Sequence, residues 1–255
     1  MAQLPTKVSN ATPSLVTRKG WTIPDDSKRT AIVGRTGSGK TQFGVYFLGT
    51  QINGPWKELP VTIIDFKHAR LIRELQATEI KVSNRPPTRP GLYVVRPFPG
   101  DDDKALVEYL LRVWAQENHG IYCDETLDLG ARNRGFRRLL SQGREKSIPM
   151  IYCTQRPSWV DMYSFSEADY VCAFQLTLPD DEKRIDQFAP GYTNKALEPY
   201  HSYWYDVASN QGAVLNPCPS QADILARYYP EYVDEEHKTL EGVAHPNRER
   251  QKVIL

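Results

Sequence analysis

Short β-branched runs alternate with stretches of helical periodicity along most of the chain, which predicts a sheet layered between helices. TAIVG (30–34) reads as the first strand, followed by a helix that begins within GRTGSGKT and carries Phe43, Tyr46 and Phe47. VTIID (61–65) is the second strand, with LIRELQ as the start of a helix, and LYVV (92–95) is the third. The aspartates at 101–103 are placed to cap a helix whose apolar stripe includes Leu106, Leu110, Leu111 and Trp114. IYCD (121–124), PMIYCT (149–154) and YVCAFQL (170–176) are further strands. A basic helical stretch covers about 132–142, and another helix lies near 181–187. Residues 200–216 predict two strands joined by a turn at 209–212. No internal repeat interrupts the series. The expected architecture is α/β, with a mostly parallel central sheet and helices on both faces.

Length and composition narrow the picture only modestly. A chain of 255 residues suits one large domain. Residues 1–20 mix Pro, Ser, Thr and Asn without periodicity and are expected to form an arm; 21–230 form the domain, and 231–255 a polar tail. The net charge of +1 points to no polyanionic partner, so any nucleic-acid contact needs a local basic patch. Apolar runs such as VTII, VYFL and IPMIYC are too short to cross a bilayer, and the N-terminus lacks the apolar core of a secretion signal. A cytoplasmic protein that is not integral to a membrane is expected. Cys123, Cys153 and Cys172 sit in apolar runs and Cys218 between prolines, so they read as small buried hydrophobes.

The chemistry concentrates at 34–41. Gly34, Gly39, Lys40 and Thr41 meet the pattern G-x-x-x-x-G-K-T, between a strand and a helix. The glycines, including Gly37, let the backbone around Arg35, Thr36 and Ser38 turn tightly and aim its N–H groups at phosphate oxygens. The following helix adds the positive end of its dipole. Lys40 then neutralises β- and γ-phosphate charge, and Thr41 offers a hydroxyl to Mg²⁺, so ATP with Mg²⁺ is the expected ligand.

Two strand tips add to this. IYCDE ends with Asp124 and Glu125: the first is suited to hold Mg²⁺, the second to polarise a water for attack on the γ-phosphate. PMIYCTQRP puts Gln155 at the tip of a strand expected between the P-loop strand and the Asp-Glu strand, within reach of the γ-phosphate or the attacking water, with a polar residue that merely ends a strand as the plain alternative. Asn194-Lys195-Ala196-Leu197 lacks the aspartate of a guanine-reading motif, which disfavours a GTPase.

AIVGRTGSGKT, VTIIDFKHARLIREL, IYCDE and LLSQGREKSIPMIYCTQRPSW together resemble the FtsK/HerA superfamily of DNA-pumping ATPases, especially the genome-packaging ATPases of membrane-containing phages and viruses. The resemblance covers roughly 28–190. It implies a RecA-like ASCE P-loop NTPase fold that assembles as a homo-oligomeric ring, usually a hexamer, with ATP between subunits. It also implies an Asp-x-Lys strand end at Asp65 and Lys67. By resemblance Lys40 and Thr41 bind nucleotide and metal, Asp124 binds Mg²⁺, Glu125 is the general base and Gln155 the sensor. Arg144 stands where an arginine finger reaches into a neighbour's site; a solvated helix end is the plain alternative. The short stretch before Thr30 favours the viral packaging type, with a capsid or membrane protein of the packaging vertex as partner and virion association as one location.

Between Glu125 and Pro149, arginines dominate. Arg134, Arg137 and Arg138 are expected on one helix face, with Phe136, Leu139 and Leu140 on the other. Arg132 and Arg134, in the loop at 130–135, are candidate contacts to double-stranded DNA, against the alternative of a solvated face. Tyr200, Tyr203, Trp204 and Tyr205 read first as core packing, with adenine stacking or a subunit interface as alternatives. The five histidines show no ligand spacing. Rival functions are a plasmid or chromosomal DNA translocase or helicase, a small-molecule kinase, and a regulatory P-loop protein that binds ATP without hydrolysing it.

Overall fold

In the computed structural model, which describes residues 28–228 apart from 99, 101, 131 and 132, the apolar runs form one sheet. The expected arm, the tail and Arg132 lie outside the described residues. The strands are β1 (Arg29–Val33), β2 (Pro60–Ile64), β3 (Thr78–Glu79), β4 (Gly91–Val95), β5 (Gly120–Cys123), β6 (Met150–Thr154), β7 (Tyr170–Ala173), β8 (Ser202–Asp206) and β9 (Gln211–Leu215). Their spatial order is β3-β4-β2-β5-β6-β1-β7-β8-β9. Pairing is parallel from β3 to β7, and β8 and β9 close one edge as an antiparallel hairpin. β6 does lie between β1 and β5, so every loop leaving their C-terminal ends opens on one edge.

Alternation along the strands divides the core in two. Ala31, Val33, Ile64, Ile121, Met150 and Tyr152 face the helices α3 (Asp103–Gln116) and α4 (Arg134–Gln142). Ile32, Ile63, Tyr122, Ile151 and Cys153 face α1 (Lys40–Ile52), α2 (Arg70–Arg73) and α7 (Gln221–Tyr228). Strands buried on both faces carry near-continuous apolar runs, which is why they were visible in the sequence.

Several expectations shift. LIRELQ yields only the single turn of α2, and the helix expected at 181–187 is α6 (Pro179–Phe188). The buried stripe of α3 is Leu106, Tyr109, Leu110 and Val113; Leu111 and Trp114 are half-buried. Trp114 is instead covered by two cations, Arg138 at 4.8 Å and Lys146 at 4.5 Å from its ring. Asp102 stands at the N-cap of α3, yet its side chain accepts from Phe98 N (2.8 Å) and makes no cap bond. Tyr203, Trp204 and Tyr205 pack in the core, whereas Tyr200 is 59% exposed. The hairpin turn spans 207–210, where Asp206 Oδ1 accepts from Ala208 N and Ser209 N.

His119 has a structural role. Its ring is fully buried beside β2, with Nε2 2.8 Å from Thr62 Oγ1, which also bonds the Tyr109 hydroxyl. Burial pushes its pKa down to about 4, against a weaker opposing bond to the Pro87 carbonyl. The folded chain therefore keeps the ring neutral where the unfolded chain protonates it, so stability is lost as pH falls from about 6.5 towards 4. Wild type should lose about 3 kcal/mol more than His119→Gln over that window, measured by denaturant unfolding. Equal losses in the two proteins would contradict this role.

Candidate nucleotide site

β1 ends in a buried Val33, and the chain turns at once into the loop 34–39. Gly34 is required by close approach: a Cβ there would lie 2.6 Å from Phe174 Cβ and 2.7 Å from Ser38 Oγ. Gly39 stands at the N-cap of α1 with φ 98°, a left-handed conformation that favours glycine. Arg35, Thr36 and Gly37 are exposed at the loop tip, and Ser38 and Lys40 are buried. Lys40 Nζ folds back to donate to Arg35 O at 3.0 Å. Burial lowers its pKa, and the neighbouring Lys67 adds to the effect. Ser38 Oγ is buried with no hydrogen-bond partner among the described residues.

Asp124 and Glu125 leave the tip of β5 fully buried, at 1% and 2% exposure. Burial is tolerable only because polar partners surround them. Asp124 Oδ1 accepts from the Tyr122 hydroxyl at 3.1 Å. Burial raises the Asp124 pKa, while Lys67 and hydrogen bonds from Thr41 and Tyr122 hold it down. Asp124 Oδ2 remains buried without a partner in hydrogen-bonding geometry among the described residues.

Glu125 Oε2 is bound by Lys67 Nζ at 2.8 Å, and Oε1 accepts from Gln155 N at 3.3 Å and Leu127 N at 3.4 Å. Burial alone would lower the Lys67 pKa, but the Glu125 bond and charge outweigh it and raise the pKa. Gln155 completes the cluster: its Oε1 accepts from Thr36 Oγ1 at 2.7 Å, tying the β6 tip to the loop of β1. The P-loop, Asp124, Glu125 and Gln155 thus share one edge of the sheet. The ion pair from Lys67 had no signal in the sequence beyond the Asp-x-Lys resemblance. Asp65, which starts that motif, is buried; it accepts from Arg96 Nε (3.3 Å) and Ala69 N (3.0 Å), which fixes the loop bearing Lys67.

Arg144 lies elsewhere. It follows α4 at the opposite edge of the sheet, where its guanidinium binds Asp169 Oδ1 at 3.1 Å and is half-exposed. Asp169 Oδ2 in turn binds the buried Arg29 at the start of β1. The five residues of β1 put about 15 Å between this network and the P-loop. Arg144 therefore cannot reach the P-loop of its own chain.

The expected basic face of α4 is partly consumed by the chain itself. Arg137 pairs with Asp161 at 3.0 Å and covers the Tyr163 ring, and Arg138 covers Trp114. Arg134 stays exposed in the first turn, beyond Asn133, whose side chain caps the helix by accepting from Phe136 N at 2.9 Å. Phe136, Leu139 and Leu140 are buried as expected.

No protein-family model matches the chain. It is 33% identical over 216 residues to the DNA packaging ATPase P9 of Enterobacteria phage PRD1, covering 81% of this chain and 94% of that protein. Among solved structures, the genome packaging NTPase B204 of Sulfolobus turreted icosahedral virus 2 in complex with AMPPCP superposes with a TM-score of 0.62 at 17% identity, covering 77% of this chain and all of that one. ATPases 2 and 3 of EssC from Geobacillus thermodenitrificans superpose with a TM-score of 0.57 at 12% identity, over 81% of this chain and 43% of that one. Both likenesses concern the fold, and they match the parallel sheet described above.

Proposed function

Because this chain belongs to the family of viral DNA-packaging ATPases that includes P9 of phage PRD1, we propose that its site hydrolyses ATP to drive double-stranded DNA into a capsid. One observation carries the chemistry. A buried glutamate, held by three donors, stands beside a P-loop to which Gln155 is directly hydrogen-bonded.

The residues fit both nucleotide and metal. Lys40 Nζ, now satisfied by a carbonyl of its own loop, is free to exchange that bond for β- and γ-phosphate oxygens. The loop N–H groups of 35–39 and the N-terminus of α1 take the remaining phosphate charge. Thr41 and Asp124 would hold Mg²⁺, to which the unpartnered Asp124 Oδ2 is suited. When bound, the ion supplies positive charge to the β- and γ-phosphate oxygens. Glu125 orients a water and receives its proton as the water oxygen attacks the γ-phosphorus. The bridging oxygen leaves with ADP, and Gln155 senses the γ-phosphate.

Arg144, too distant to serve its own chain, is assigned to the site of the next subunit in a ring, with a hexamer the expected assembly. The ATPase domain is taken as 21–230, with the arm at 1–20 and the tail at 231–255 outside it. Action at a packaging vertex fits a chain in which no described helix is long and apolar enough to cross a membrane.

Arg132 and Arg134 are assigned to DNA phosphates. Arg134→Ala should reduce the stimulation of ATP hydrolysis by double-stranded DNA and lower the salt slope of DNA binding by about one. Stimulation and salt dependence equal to wild type would remove Arg134 from the DNA path. Loss of stimulation by DNA in the wild type itself would overturn the packaging reading.

A further inference from the structure

We propose that Tyr200 is the platform on which the nucleobase of the bound nucleotide stacks. The inference rests on the P-loop reading and extends it to the other end of the nucleotide.

The topology first says where the base must lie. Glu125 and Gln155 occupy the β5 and β6 side of the P-loop, so the γ-phosphate end of the triphosphate faces that side. The nucleoside sits at the far end of the triphosphate and leaves on the β7 and β8 side. β8 runs antiparallel to β7, pairing Tyr203 with Ala173, so the start of β8 returns to the same edge as the P-loop. Tyr200 immediately precedes that strand. Its ring Cδ1 lies 3.4 Å from the point that a Cβ on Gly39 would occupy, against the last glycine of the loop. On the same side, Gln42 in the first turn of α1 donates to Pro219 O at 2.8 Å, which brings a second wall alongside.

The local backbone gives an independent reason. Residues 198–201 form a turn closed by His201 N donating to Glu198 O at 3.1 Å, with Pro199 in second position. Tyr200 takes the third position with φ 64°, where such a turn calls for glycine. An aromatic side chain is thus held in a left-handed conformation and left 59% exposed, while Tyr203, Trp204 and Tyr205 nearby are buried. Packing accounts for those three and not for Tyr200. Strained positions of this kind gather at ligand sites, and an exposed aromatic face beside a phosphate cradle suits a purine ring.

The test is the kinetics of phosphate release by the full chain, with inorganic tripolyphosphate as a competitor that has no base. Tyr200→Gly should raise KM for ATP about tenfold, the size of a lost base–aromatic stack. Its kcat should stay within about twofold, because the contact is made equally in the ground and transition states. Tyr200→Phe should keep the wild-type KM, and tripolyphosphate should inhibit all three proteins equally. The glycine variant also relieves the backbone, so its Tm should not fall. Normal competition by tripolyphosphate with an unchanged KM in Tyr200→Gly overturns the assignment alone. So does a raised KM in Thr193→Trp, which fills the separate cleft lined by Arg35, Gln175, Tyr192, Thr193, Lys195 and Leu197, with none in Tyr200→Gly. Failure of tripolyphosphate to compete, with ATP binding intact in Lys40→Ala, overturns the P-loop reading and this assignment with it.

Discussion

Glu125→Gln is expected to lower kcat for ATP hydrolysis by roughly 10²- to 10⁴-fold, the range of a lost general base. Binding of ATP should stay within about threefold of wild type, because the substitution removes proton-accepting capacity and little else. Gln155 N and Leu127 N can still donate to the remaining carbonyl oxygen of a glutamine at this position. Lys67 loses its ionic partner, but that side chain is a third exposed and can turn to solvent. Single-turnover phosphate release beside equilibrium ATP binding separates the two effects. A rate equal to wild type would remove Glu125 from the role of base.

Arg144→Ala should produce a comparable or larger loss in the assembled protein, about 10³- to 10⁵-fold in kcat if the arginine acts as a finger in trans. Stability should barely change. The Arg144–Asp169 pair is half-exposed and worth about 1 kcal/mol or less, and Asp169 keeps its bond to Arg29. Mixed assemblies give the decisive readout. An interface that joins an intact Glu125 from an Arg144→Ala subunit to an intact Arg144 from a Glu125→Gln subunit is complete, so mixing two inactive proteins should restore part of the turnover. Full activity of Arg144→Ala alone would contradict the trans assignment.

α4 offers a physical link between these two positions. Its nine residues rise about 13 Å, from the Glu125 side of the sheet to the edge that carries Arg144. Its apolar side, Phe136, Leu139 and Leu140, is packed into the core, and Arg137 and Arg138 are anchored by Asp161 and Trp114. The helix is therefore built as a rigid strut between the Glu125 end of the sheet and the edge that carries Arg144.

Features of the site written in consecutive residues were legible from the chain alone. GRTGSGKT lies between a strand and a helix because the tight turn and the helix start are encoded within the same eight positions. The acids of IYCDE and the glutamine of PMIYCTQRP were legible because a short β-branched or aromatic apolar run ends where they begin, the pattern of a buried strand and its tip. Contacts fixed by crossovers left no local trace. Lys67 meets Glu125 only because β2 and β5 are neighbours, and Arg144, which leads into β6, meets Asp169, which leads into β7, only because both strands flank β1. The basic face of α4 was over-read, since periodicity placed its arginines correctly but could not show that Asp161, Tyr163 and Trp114 would bind two of them. β3 and α7 were missed because a two-residue edge strand and an eight-residue helix carry too few apolar positions to show a period.

Phosphate release by the purified full chain, with ATP and Mg²⁺ but no phosphoryl acceptor, in the presence and absence of double-stranded DNA, tests the central claim most directly. Wild type should release phosphate, release it faster with DNA, and lose both activities in Lys40→Ala. Release that depends on an added acceptor, or that is indifferent to both DNA and Lys40→Ala, would contradict a DNA-packaging ATPase.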